Sequence, residues 1–299
     1  MNAHTETSAA GRWLSIGALL SLIVLAAAPR TGAQGLTYDT RTTAEGMTGR
    51  RGGAGTQVFQ AAHGQFANGN VRFDYTESMM PTGFTGTGHY MIMKNGSGIT
   101  VFVDPAKREY AEINAAELAQ TAAELQKSLG TTVKTEITGV RVNVEDLGAG
   151  ESIEGYATVK YRITQSYTMK ISIMGHTTES IDKSVFDLWI APQLDGAMTP
   201  TARTPAAGGG AMAELTAQLT AAWGKVRKGV VLRNMMTSET VSDGKTNSHT
   251  MTTTVSNIKR GAISPSVFEV PAGFTKTDAL TAMTGGMGAK GPRVRKPTP

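Results

Sequence analysis

The stretch Ala157–Ile173, ATVKYRITQSYTMKISI, decides the fold. Its odd positions, Ala157, Val159, Tyr161, Ile163, Gln165, Tyr167, Met169, Ile171 and Ile173, are apolar but for one glutamine. Its even positions, from Thr158 through Lys160, Arg162 and Thr164 to Ser172, are polar throughout. Successive strand side chains point to opposite faces, so this alternation gives one dry face and one wet face. Seventeen residues at about 3.3 Å each would span roughly 56 Å, well beyond an ordinary strand. The parity never breaks, so no bulge interrupts the run. A strand this long implies a strongly curved sheet with one greasy side.

The flanking sequence supplies partners for that strand. Ser184 to Ala191 places Phe186, Leu188 and Ile190 on one face and Trp189 on the other, before Pro192 ends it. On the other side, Val133 to Ile137 keeps odd parity, whereas Val140, Val142 and Val144 are even. The switch at Thr138-Gly139 predicts a bulge or break. Glu145 to Gly155 reads as an acidic connection. Nearer the N-terminus, Leu36–Ala44, Val58–Phe66, Val71–Tyr75, His89–Lys94, Ile99–Val103 and Lys107–Ile113 read as strands, with Asn95-Gly96-Ser97-Gly98 as a hairpin loop. Val230–Val241 and Thr246–Ile258 form a hairpin across Ser242-Asp243-Gly244, and the Thr-rich second arm reads as a solvated edge. Ile263 to Phe274 closes the fold with a turn and a short extended piece.

Two segments carry helical spacing instead. Asn114 and Glu117 make a capping pair, and Leu118, Ala122, Leu125 and Leu129 form one stripe before Gly130. Ala211 to Lys228 carries Met212, Leu215, Leu219, Ala222, Trp223 and Val226 on one stripe and ends at Gly229. No βαβ rhythm links strands and helices, which argues against a parallel α/β sheet. The expected fold is mainly β (α+β): a strongly curved antiparallel sheet or half-barrel of about ten strands, with two amphipathic helices covering its apolar face.

The first 33 residues read as a secretory signal peptide: Arg12, an apolar core to Ala28, and the small-residue site Thr31-Gly32-Ala33. The core from Leu14 is shorter than the roughly 20 residues a membrane span needs. The division is a signal peptide over 1–33, one domain over 34–275 and a disordered basic tail over 276–299. The formal charge of +5 resides in the two ends, because Gln34 to Thr275 holds 22 basic and 22 acidic residues. A neutral domain carries no nucleic-acid footprint. The chain has no cysteine, which removes disulfides, thiolate metal sites, thiol nucleophiles and a lipid-anchoring cysteine.

Catalytic spellings fail on context. Ser180-Ile181-Asp182-Lys183 matches SxxK, but it reads as a turn between strands and lacks a KTG element. Gly244-Lys245-Thr246 ends like a phosphate loop, yet position 239 is Glu239 and the segment is a hairpin tip. His63, His89, His176 and His249 stand apart, with no metal spacing or carboxylate cluster beside them. Glu145, Asp146, Glu151 and Glu154 lack the spacing of a calcium loop. Methionines in or near strands, among them Met91, Met93, Met169, Met235 and Met251, suit an adaptable apolar surface. Copper(I) is the rival reading, without a compact MxxM cluster to support it.

Several motifs carry a resemblance when taken together: Glu145-Asp146-Leu147-Gly148, Ile153-Glu154-Gly155-Tyr156, Tyr161, Asp187-Leu188-Trp189-Ile190-Ala191-Pro192, and Phe268-Glu269-Val270-Pro271-Ala272-Gly273-Phe274. Together they resemble the exported bacterial family called domain of unknown function 4412, over most of Leu36 to Phe274. That family looks similar in organisation to the periplasmic lipoprotein carriers of the LolA and LolB type, whose half-barrel holds an acyl chain under helices. The resemblance implies a periplasmic or secreted, non-enzymatic protein that shelters a lipid, an acyl chain or another hydrophobic ligand. It transfers no catalytic residue and no cofactor. The lining nominated by parity is Tyr161, Ile163, Tyr167, Met169, Ile171, Phe186 and Leu188 from strands, with Leu118, Leu125, Leu215 and Leu219 from helices. Expected partners are a lipid or lipoprotein acyl chain, or an envelope protein, with no nucleic acid, and the chain is expected to be a monomer. The alternative is an envelope sensor or interaction module with a filled core.

Overall fold

The computed structural model describes residues 35–46, 56–79, 86–95, 97–114, 133–173, 175–194 and 213–278. Twelve strands fall among the described residues, all in one open sheet. In chain order they are β1 (Gly35–Glu45), β2 (Gln57–Ala67), β3 (Asn70–Ser78), β4 (Tyr90–Met93), β5 (Ile99–Asp104) and β6 (Glu109–Asn114), followed by β7 (Val133–Ala149), β8 (Val159–Ile173), β9 (His176–Ala191), β10 (Val230–Ser242), β11 (Lys245–Gly261) and β12 (Thr275–Lys276). The spatial order is β12-β6-β5-β4-β3-β2-β1-β11-β10-β9-β8-β7. The sheet is thus two antiparallel meanders, β1 to β6 and β7 to β11, stitched where β1 pairs with β11. Only β12 runs parallel to its neighbour, β6. Helix α1 (Ala213–Trp223) is the one α-helix among the described residues. The expected first helix, with Leu118 and Leu125, lies outside them, as do the proposed signal peptide, residues 199–210, whose Pro, Ala and Gly content reads as a long loop, and most of the tail.

The alternation around Tyr161 forms β8, although Ala157 and Thr158 precede the strand. The parity switch in β7 is a bulge: register shifts between Thr138 and Arg141, and Gly139 takes a left-handed φ of 63°. A residue with a side chain would be strained at that point, which is why glycine marks it. The strand then continues to Ala149, so Glu145–Ala149 is ladder and not connection. Two-residue loops Asn68-Gly69 and Asp243-Gly244, with positive φ throughout, turn β2 into β3 and β10 into β11. Such turns match the right-handed twist of the strands they join.

Four expectations are corrected. The strand count is twelve among the described residues, above the expected number. Ser180–Lys183 is not a turn, because β9 begins at His176 and pairs with β8 along its whole length. The Thr-rich β11 is no solvated edge but lies between β1 and β10. Threonine is β-branched and packs on pleated strands, and its hydroxyls find partners across the ladder, as in Thr42–Thr253 at 2.9 Å. Helix α1 stops at Trp223, before Lys225, Arg227 and Lys228.

One face of the sheet carries α1, and we call it the helix face. There Tyr161, Ile163, Leu188 and Ile190 pack with Ala222, Trp223 and Val226, alongside Val142 and Val144 of β7. Further across, Leu36, Tyr38, Phe66, Val71 and Leu232 form a second cluster, joined by Phe73. The opposite face of β3 to β6 is covered by residues 262–274. Phe268 of this strap is buried against Tyr90, Ile92, Val101 and Val103. Arg72 fixes the strap by donating to the Val267 carbonyl (3.1 Å) while stacking on the Tyr90 ring and pairing with Asp74. Lys94 reaches Glu269 at 2.7 Å.

Gly64 lets Tyr38 lie flat over β2, since a Cβ there would run into the Tyr38 ring. Tyr38 is 2% exposed and meets Phe73 edge-on, 6.1 Å between ring centres. Gly64→Ala should lose about 1–3 kcal/mol in a urea unfolding titration, the usual cost of overpacking a filled core. An unchanged midpoint would mean that the ring moves aside freely.

Candidate functional site

The helix face of β8 divides into two stretches. At its start, Tyr161 and Ile163 are buried beneath α1, and Leu188 of β9 is buried beside them. Tyr161 resists ionisation, first because of burial and then because its hydroxyl bonds the Asp146 carboxylate; the Arg227 amide donates to the same phenol. This stretch is solid core. Beyond it, Tyr167, Met169 and Ile171 are half-buried and Ile173 is 45% exposed. The strand therefore runs on past the cluster under α1 with its apolar parity unchanged.

The other nominated residues distribute between the two stretches. Phe186, half-buried, bridges the cluster under α1 and a neighbouring one built from Ala44, Phe59, Met236 and Met251. Leu215 is buried on α1, and Leu219 is half-buried on it. Gln218 ties the helix to the Val140 carbonyl of β7 at 3.5 Å. Leu118 and Leu125 lie outside the described residues.

Register then shows what the sequence reading missed. Gln165 lies opposite Ser184, and Ser184 opposite Ser238, which lies opposite His249. The next rung runs Tyr167, Asp182, Thr240 and Asn247. These rungs share the parity of Ile163 and Phe186, so they belong to the helix face. A polar patch thus sits beside the apolar wall of β8. Asp182 is 7% exposed and accepts from Ser180 Oγ at 2.9 Å and Thr240 Oγ1 at 2.7 Å. The Tyr167 phenol opposite it is pushed up to about 12, by burial and then by the Asp182 charge. Gln165 Oε1 and Asn234 Oδ1 are buried without a hydrogen-bond partner. Ser180 and Asp182 were hidden by the reading of their segment as a turn. The available signal was the alternation of Ser180, Asp182, Ser184 and Phe186, which carries the β9 parity back to His176.

The opposite face of the same strands is an ionic lattice. Asp187 is 2% exposed and receives a bidentate pair from Arg162, at 2.6 and 2.8 Å, with Lys160 at 3.2 Å. The Trp189 ring lies between Lys160 (4.4 Å) and Arg233 (5.3 Å), and Arg233 also pairs with Glu151. Glu154 accepts the Asn257 amide at the bulge of β11. The Asp187–Pro192 and Glu145–Tyr156 motifs are in this way accounted for by structure. Two histidines each have a single carboxylate partner: His63 with Asp39 at 2.9 Å and His89 with Asp104 at 3.2 Å. Among the described residues, no group of three or more His, Asp or Glu side chains is placed to hold a metal.

No protein-family profile matches the chain, and no curated protein matches it in sequence.

The hydrogen bonds from Arg162, more than any other contact, hold the Asp187 carboxyl below the usual aspartate range. A lowered folded value means that this stability is complete above the ordinary value of about 4 and lost as pH falls through the lower folded one. Asp187→Asn should cost about 1–3 kcal/mol at pH 7, because Arg162 and Lys160 retain some solvent. Thermal melts from pH 7 to pH 2 should show a smaller acid-induced drop in Tm for the variant than for the natural chain. Parallel curves would assign the acid sensitivity elsewhere.

Proposed function

We propose that the protein is an exported binding protein that shelters a hydrophobic or amphiphilic ligand against the helix face of a half-barrel. One observation carries the reading: Tyr167, Met169, Ile171 and Ile173 continue the parity of the buried Tyr161 and Ile163 yet remain half-buried or exposed. Exposed apolar surface of this kind marks a place where something else is to be buried. The signal-like first 33 residues and the resemblance to periplasmic lipoprotein carriers support an envelope location. Flexible Met169 suits a surface that must accept chains of differing shape. Partner docking on a filled sheet is the second reading, and the closed cluster of Tyr161, Ile163, Leu188 and Ala222 favours it.

Native mass spectrometry and solvent extraction of the purified chain separate the two. A carrier should retain acyl-chain species and take up the uncharged hydrophobic probe N-phenyl-1-naphthylamine at one site. A chain that carries no lipid and leaves the probe in water would overturn the carrier reading in favour of docking. Two variants locate the binding surface. Ile171→Glu, at a half-buried position, should fold normally and lose probe uptake at least about tenfold, since a carboxylate replaces apolar contact. Ile163→Asp, at a position 1% exposed, should cost at least about 4 kcal/mol in lost burial and carboxylate desolvation and yield little folded protein.

A further inference from the structure

The polar patch beside the apolar strip is rich in acceptors, and the basic residues that share its face among the described residues, His249 and Lys245, stand on β11, two strands away from Asp182. Asp182 is buried, and among the described residues its partners are two hydroxyls, with no basic side chain paired to it. A buried carboxylate is costly unless a counter-charge or several donors compensate it. Two hydroxyl bonds leave acceptor capacity on its oxygens. One rung away on the same face, Gln165 Oε1 is also buried with no donor at all. Buried carbonyl oxygens almost always have a partner, so this one is available to accept from a donor that a ligand brings. Tyr167 stands next to Gln165 on the same face of β8 and opposite Asp182, which brings an aromatic ring to the same place. Carboxylate, amide oxygen and aromatic ring together make a site for a cation that donates hydrogen bonds.

We propose that this end of the helix face binds the protonated amine of an amphiphile, with its ammonium on Asp182 and Gln165 Oε1 and its alkyl chain along Met169 and Ile171. The inference rests on the carrier reading and specifies the class of ligand: a cationic, amine-bearing amphiphile in preference to a fatty acid or alcohol. The carboxylate selects by sign. An anionic head would meet Asp182 across a low-dielectric space, whereas an ammonium satisfies both oxygens. The neighbouring hydroxyls of Ser184 and Ser238, 3.3 Å apart, already engage one another and orient no charge.

The test uses the full chain with decylamine, decanol and decanoate, each below its micelle concentration, displacing the uncharged probe N-phenyl-1-naphthylamine. Decylamine should bind at least about tenfold more tightly than decanol, the low end of what a charge-assisted hydrogen bond supplies. Decanoate should be the weakest of the three. Asp182→Asn should bring decylamine to within about twofold of decanol while decanol itself is unchanged. Gln165→Leu, at a half-buried position, should lower the amine preference about threefold and serves if the first variant does not fold. Equal binding of the three ligands by the natural chain, or a preference untouched in the folded variants, overturns the amine site and leaves the carrier standing. If none of the three binds, the carrier reading falls, and the amine site with it.

Discussion

The pairing of β1 with β11 holds the molecule together. Without it the chain would be two separate meanders, each with an additional exposed edge. The partners stand far apart in sequence, with Thr42 opposite Thr253 and Glu45 opposite Thr250. Closing so long a loop costs little more than closing one of half the length, about 0.6 kcal/mol per doubling, so the ladder bears the separation easily at equilibrium. The consequence is kinetic, because non-local pairing must form before it is rewarded. The ladder is also pinned locally. A bulge at Asn257 sits opposite Tyr38, Asn257 takes a φ of 54°, and its side chain and amide hold Asp39 and Glu154. That fixed irregularity discourages sliding along an otherwise repetitive threonine ladder.

The same ladder explains where sequence reading succeeded and where it failed. Strands with one dry and one wet face, such as β8, announce both their type and their orientation, and the bulge in β7 was visible as a change of parity. β11 was not legible in this way, because its threonines are polar by composition but pack and pair as β-branched residues. The half-buried Thr253 hydroxyl of β11 meets that of buried Thr42 on β1, so packing left no apolar signature. The end of α1 was misplaced for a related reason. Trp223 and Val226 share an apolar stripe and both pack on β7 to β9, yet the chain between them leaves the helix at Gly224 through a turn. Packing direction continued while backbone geometry did not.

The candidate site was legible on one strand only. Parity identified Tyr161 through Ile171, but the character of a rung depends on the register of β8, β9 and β10 together. Phe186 faces Ile163, whereas Ser184 faces Gln165 and Asp182 faces Tyr167. No single-strand pattern could show that an apolar wall and an acceptor patch share the same face. The strands beside β8 were read too short, and β9 lost the half that carries Ser180 and Asp182.

The border between apolar and polar rungs does more than divide core from site. A one-residue slip of β9 against β8 is already forbidden, because it would turn every core residue to the wrong face. A two-residue slip preserves the faces, so alternation alone does not forbid it. The border does. Such a slip would set Phe186 against Gln165 or Tyr161 and draw Ser184 or Leu188 into the rung of Ile163. It would also part Asp182 from the rung of Tyr167. Burying Asp182 therefore costs free energy in the resting chain and contributes positional specificity in return. The packed half of β8 under α1 fixes the frame, and the polar rungs fix the register within it. The apolar strip of Met169 and Ile171, which follows those rungs along β8, is consequently held at a defined distance from the acceptors, as the proposed recognition of an amphiphile requires.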